Sequence, residues 1–169
     1  MEPIRLGGLG IICQIDESLF VHKVKYHRGR APRRQVWVFG IVDTSTSPAI
    51  GYMRIVEDRS AATLLPIVQE VCLPGTIIHS DMWAGYRELS ERTGFDHGTV
   101  NHRFNFVDPI TGVHTQHVES FWNAHKEKIK AMKGVRACQL QSHLDEFMFK
   151  ARYMNMEFES ILKLLIVQN

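Results

Sequence analysis

Residues 35–56, QVWVFGIVDTSTSPAIGYMRIV, decide the fold. Residues 35–43 are rich in Val, Ile, Phe and Trp, the side chains that fit a pleated, half-buried surface. Residues 44–48, TSTSP, break that run with small hydroxyl side chains closed by a proline, as a turn does. Residues 49–56 resume the strand pattern, so the stretch reads as an antiparallel pair. Upstream, residues 11–20 (IICQIDESLF) read as a further strand, reached through the flexible Gly7, Gly8 and Gly10. The three strands form a meander. The segment 23–34 between the first two contains Gly29 and Pro32 and reads as a loop or ribbon.

Beyond residue 56 the period changes. Ser60 stands where a cap for a helix over 61–72 belongs, with Leu64, Leu65, Val68 and Val71 on one face. Pro66 should lie in its first turns or bend it, and Pro74 with Gly75 ends it. A short buried strand follows at 76–80, TIIHS, with Asp81 directly after it. A helix over 83–92 ends at Gly94, and a short strand spans 99–101. A loop with Pro109 and Gly112 leads to a helix over 115–132 and, past Gly134, another over 138–154. In the last, Leu140, Leu144, Phe147, Met148 and Ala151 form an apolar stripe. The order β-β-β-α-β-α-β-α-α predicts an α/β protein: a mixed five-stranded sheet flanked by helices, as in an RNase H-like fold.

The chain has 169 residues, enough for one domain with a sizeable core. No apolar run is long enough to span a membrane. The start lacks the pattern of a signal peptide, so a reducing compartment is expected. Cys13, Cys72 and Cys138 lack metal-site spacing and are expected to be buried free thiols. The net charge of +2 is uninformative beside its distribution. Lys23, Lys25, Arg28, Arg30, Arg33 and Arg34 form one basic block without an acid. The stretch 125–136 holds five cations against Glu127 alone. Either block suits a phosphate backbone, whose counterions Lys and Arg displace, or a solvated surface.

Three acids fall at telling places. Asp16 lies inside the first strand, Asp81 follows the fourth, and Glu119 opens a long helix. In an RNase H-like sheet the first and fourth strands are neighbours, so the aspartates can converge and the helix can supply the third carboxylate. Such a cluster suits two Mg²⁺ or Mn²⁺ ions binding the attacking and leaving oxygens of a phosphodiester. Taken singly, Asp81 better suits a helix cap and the other two better suit exposed charges; together, in this element order, the three favour a metal site. On the Glu119 helix, Val118, Phe121, Trp122, His125, Ile129 and Met132 should face the core. Glu119, Asn123, Lys126, Lys130 and Lys133 should share another stripe, a candidate track for DNA.

The motifs IDES, HRGR, QVWVFGIVD, HSDMWAGY, VNH, HTQHVESFW and HLDEFMFKARYMN, in that order over residues 7–155, resemble the transposase domain of Merlin elements and their ISXO-like bacterial insertion-sequence relatives. The resemblance implies an RNase H-like fold, a DDE triad of Asp16, Asp81 and Glu119, and two divalent ions. It also implies DNA partners, both element ends and target, with a homo-oligomer when two ends are synapsed. His79, Trp83, Tyr86, His102 and His117 occupy motif positions around the triad. His79, two residues before Asp81, would point to the same face and orient it. Trp83 and Tyr86 would pack behind the site or stack on a base. Localisation would be nuclear in a eukaryote and cytoplasmic in a bacterium. Relatives carry an N-terminal DNA-binding region that this chain is expected to lack. Residues 1–155 therefore read as the catalytic domain and 156–169 as an apolar extension packing on the domain or a partner. A truncated or domesticated DNA-binding protein without cutting activity, and an RNase H-like nuclease, are the alternatives.

Overall fold

A computed structural model of the chain describes residues 3–20 and 36–153. The elements are β1 (Ile12–Phe20), β2 (Val36–Asp43), β3 (Ile50–Val56), α1 (Ala61–Val71), β4 (Ile77–Asp81), α2 (Leu89–Thr93), β5 (Asp96–Val100), α3 (Gln116–Ala131) and α4 (Ala137–Tyr153). One five-stranded sheet runs β3-β2-β1-β4-β5. The first three strands pair antiparallel, and β4 joins β1 and β5 in parallel. The expected mixed sheet is present, with the first and fourth strands as neighbours.

Alternation along the strands divides the core into two layers. Cys13, Ile15, Phe39, Ile41 and Ile78 pack against Leu64, Leu65, Val68 and Val71 of α1. Val38, Val42 and Met53 pack against Val118, Phe121 and Trp122 of α3 and Leu140, Leu144, Phe147 and Met148 of α4. Truncating any fully buried leucine in these layers costs about 2–5 kcal/mol. α4 also covers part of the exposed β3 edge: Gln141 Oε1 accepts from the Ile55 amide at 2.9 Å.

Several local expectations differ from what is found. α1 continues past Pro66, which lies in its second turn on the exposed side. Ser60 holds the N-cap position but makes no side-chain cap. Its hydroxyl goes to Thr63 Oγ1 at 3.2 Å instead. The helix expected over 83–92 is a 3₁₀ turn at Ala84–Tyr86 followed by the short α2, because the Trp83 amide is taken by Asp81 and Gly85 weakens any helix there. β5 begins earlier than expected, at Asp96, since a polar edge strand carries little apolar signal. Cys138 is exposed, unlike Cys13 and Cys72. Met132 is exposed too, and Lys133 leaves the helical stripe with φ 61°, because α3 ends at Ala131. The basic segment 23–34 and the extension 156–169 lie outside the described residues.

Candidate active site

Gln14, Asp16 and Ser18 are the β1 residues that point toward α3, opposite to Cys13, Ile15 and Glu17. Gln14 pairs with His79 of β4 in the parallel register, and Asp16 and Asp81 each lie two residues further along their strands. Asp16 is half-buried. Its Oδ2 accepts a hydrogen bond from Trp122 Nε1 of α3 at 3.0 Å. Burial, then repulsion from Asp81 and more weakly from Glu119, pushes its carboxyl up to about 6, against the pull of the Glu17 amide and Trp122.

Asp81 closes β4, and its Oδ1 accepts from the Trp83 amide at 2.9 Å. The carboxylate thus terminates the strand in a local turn rather than capping a long helix. Glu119 lies in the first turn of α3. Its Oε1 accepts from Thr115 Oγ1 at 3.1 Å and lies 3.6 Å from His102 Nε2. His102 Nε2 is itself 2.8 Å from Thr115 Oγ1.

The start of α3 is held by a residue that sequence reading passed over. Thr115 is its N-cap by position but makes no cap bond. Gln14 Oε1, fully buried, accepts from the amides of His117 at 2.9 Å and Val118 at 3.1 Å. A β1 side chain thereby satisfies two of the helix N–H groups that have no intrahelical partner, in the same turn as Glu119. An amide alone in an apolar strand, two residues before Asp16, was the available signal.

The triad residues therefore share one electrostatic neighbourhood, since Asp16 feels both of the others. Their oxygens are the hard donors that Mg²⁺ or Mn²⁺ prefers. Among the described residues, however, no three His, Cys, Asp or Glu side chains close on one point. Glu119 is engaged by Thr115 and shares a contact with His102.

The motif residues around the triad divide. Tyr86 is buried behind the sheet, on the face away from Asp16, and its hydroxyl donates to Glu17 Oε1. Trp83 lies partly exposed over the Arg59 guanidinium, 4.2 Å from its ring centre. His79 is not hydrogen-bonded to Asp81. Its Nδ1 is buried with no partner among the described residues, and its ring packs where Gly98 leaves room. Burial and His114 lower its pKa. His117 contributes its backbone to Gln14, and its ring lies 5.5 Å from that of His114.

Glu17 follows Asp16 in IDES and points to the opposite face of the sheet. Its carboxylate is buried and raised to about 7, chiefly by desolvation, with Tyr86 and Arg59 opposing and Asp16 and Asp81 adding to it. On α3, Lys126 and Lys130 are exposed on the Glu119 side chain's helix, as expected of the stripe. The loop from 101 to 115 exposes Phe104, Phe106 and Ile110 beside His102. No described helix is long and apolar enough to cross a membrane.

Residues 14–152, which carry all three acids, match the ISXO2-like transposase domain. The chain belongs to the ISXO2-like transposase family. An uncharacterized transposase-like protein of Haemophilus influenzae is 26% identical over 114 residues, covering 68% of this chain and 89% of that protein. Among solved structures, the catalytic core domain of BIV integrase aligns with a TM-score of 0.54 at 13% identity, over 82% of this chain and 81% of that one. A chain of the simian T-cell lymphotropic virus intasome, solved with the PP2A regulatory subunit B56 gamma, aligns with a TM-score of 0.55 at 15% identity, over 92% of this chain and 53% of that one. At those identities the likeness establishes the fold, which is RNase H-like. An ISXO2-like transposase with this sheet brings Asp16 and Asp81 onto adjacent strands by topology alone.

Proposed function

We propose that this transposase domain cuts and joins DNA phosphodiesters, with Asp16, Asp81 and Glu119 as the residues that hold two Mg²⁺ or Mn²⁺ ions. The observation that carries the reading is the β1–β4 register, which sets Asp16 and Asp81 two residues beyond the paired Gln14 and His79 on adjacent strands; burial, then Asp81 and Glu119, raise the Asp16 carboxyl to about 6. Anionic groups gathered against their own electrostatics are a common mark of a cation site. Divalent ions, when bound, activate an oxygen nucleophile and stabilise the charge of the phosphoryl transition state.

The chain's own residues have separable tasks. Trp122 and the β1 backbone orient Asp16. The Trp83 amide orients Asp81. Thr115 holds Glu119 near His102 and would release it to complete the ligand set. Lys126 and Lys130 would neutralise phosphates along the flank of α3, with Lys23, Lys25, Arg28, Arg30, Arg33 and Arg34 as further candidates. DNA element ends and target are the proposed partners, with at least two copies needed to synapse two ends.

A second reading, a domain that grips DNA without cutting it, is favoured by one observation: the three carboxylates do not close on one point. Labelled duplex DNA incubated with Mg²⁺ or Mn²⁺ separates the two. Cleavage by the wild type that drops at least about a hundredfold in Asp81→Asn and in Glu119→Gln supports the triad. Cleavage that survives both substitutions overturns it, and binding with no cleavage in either metal favours the second reading.

A further inference from the structure

On the face of β1 opposite Asp16, Glu17 lies at the centre of a buried polar knot. Its side chain is 4% exposed. Glu17 Oε1 accepts from the Tyr86 hydroxyl, and Oε2 lies 3.9 Å from Arg59 Nη1. The Arg59 guanidinium is clasped between two indoles, 4.0 Å from the centre of the Trp37 ring and 4.2 Å from that of Trp83. Trp83 Nε1 donates to the Arg59 carbonyl at 3.2 Å, and the Trp83 amide donates to Asp81 Oδ1. A Cβ at Gly85 would sit 2.9 Å from Trp83 Nε1 and 3.0 Å from the Arg59 carbonyl, so the turn closes this tightly only with glycine.

A buried carboxylate adds little or nothing to stability over an apolar side chain of similar size. What it supplies is direction. The knot links the strand that carries Asp16 to both ends of the turn that carries Asp81. We infer that Glu17, Tyr86 and Arg59 form a positioning clamp, which sets the Asp81 carboxylate relative to Asp16 from the far side of the sheet and so governs divalent-cation affinity. Glu17 and Tyr86 are positioning residues that touch neither ion nor DNA. The inference deepens the two-aspartate metal site and rests on it.

The test uses the full chain and Mn²⁺ alone, with free Mn²⁺ followed by its electron paramagnetic resonance signal. Amide hydrogen exchange over 82–87 is measured in parallel. Tyr86→Phe and Glu17→Leu each weaken Mn²⁺ binding about tenfold, the effect usual for lost outer partners of a metal ligand. Both accelerate exchange over 82–87 while α4 exchanges as in the wild type. Glu17→Gln keeps an oxygen for the Tyr86 hydroxyl and stays within about threefold of wild type. The double variant Glu17→Leu/Tyr86→Phe is no worse than the weaker single variant, since both break one link. Wild-type Mn²⁺ affinity in Tyr86→Phe and Glu17→Leu overturns the clamp, as does exchange that accelerates evenly throughout the chain. Asp81→Asn is the separate control: if it binds Mn²⁺ as the wild type does, the metal site itself is wrong, and exchange over 82–87 still decides whether the clamp holds the turn.

Discussion

Asp16 and Gly40 are partners in the β1–β2 register, and the bare α-carbon of Gly40 makes the room in which the Trp122 indole lies. That indole donates from Nε1 to Asp16 Oδ2 at 3.0 Å. A Cβ at Gly40 would overlap the six-membered ring, standing 2.6 Å from Cη2. Gly40→Ala therefore pushes Trp122 away from Asp16. Overpacking of this kind costs about 1–3 kcal/mol, to be read from denaturant unfolding. The same variant should lose most of its cleavage under conditions where it remains folded. A Gly40→Ala protein with wild-type stability would refute the packing argument.

Trp122→Phe removes the indole donor while keeping an aromatic ring in the core. In Trp122→Phe the Asp16 carboxylate loses a partner that lowers its pKa, so its carboxyl titrates above about 6. Titration of Asp16 by NMR checks the direction. Any fall would count against the assignment.

In the metal-free protein the contribution of Asp16 and Glu17 to stability should fall as pH rises. Asp16 and Glu17 both have folded-state pKa values above their ordinary ones, at about 6 and about 7. For Asp16 the causes are burial, then Asp81, with Glu119 a minor one. For Glu17 they are burial, then Asp16 and Asp81, opposed by Tyr86 and Arg59. Between about pH 4 and pH 7 these two carboxyls hold more protons in the folded state than in the unfolded one, so their contribution to stability falls across that window, while His79, His97 and His125, whose pKa values burial lowers, act in the opposite sense. Thermal unfolding in a chelator should show a larger gain in Tm from Asp16→Asn at pH 8 than at pH 5. Asp16→Asn should recover roughly 3–8 °C at pH 8. Millimolar Mn²⁺ should raise the wild-type Tm at pH 8 and leave Asp81→Asn nearly unmoved. A gain from Asp16→Asn that is no larger at pH 8 than at pH 5 contradicts the electrostatics.

Gln14 holds α3 by its first turn, so Gln14→Leu leaves the amides of His117 and Val118 buried or half-buried without their acceptor. The volume is nearly kept while a charge-free hydrogen bond pair is lost. Stability should fall by about 1–3 kcal/mol, and Glu119 should shift with the helix start. Equal stability of Gln14→Leu and wild type in urea would refute the cap.

Lys126→Ala and Lys130→Ala test the α3 flank as a phosphate track. Each lysine that neutralises one phosphate should lower the slope of log affinity against log salt by about one, weakening binding alike on every duplex sequence. An unchanged slope places the DNA elsewhere.

Much of the molecule was legible in advance. The hairpin at 35–56 and the change to a helical period after residue 56 were enough for sheet and helix order, because apolar spacing reports which face of an element is buried. The two aspartates were legible for the same reason, since the order of elements puts β1 beside β4. Residues 83–92 misled because a helical spacing there competes with a carboxylate that captures the Trp83 amide and with a close approach at Gly85, neither of which leaves a periodic trace.

By itself the sequence determined the order of elements, the family motifs and the three acids, all of which follow from local pattern along the chain. Only the tertiary structure decided what surrounds them. Gln14 caps a helix that begins 102 residues after it, Trp122 reaches Asp16 across the space above Gly40, and Glu17 binds the Asp81 turn from behind. These relationships join residues distant in the chain through direction and distance, and a hydrogen bond has no period that a sequence can display.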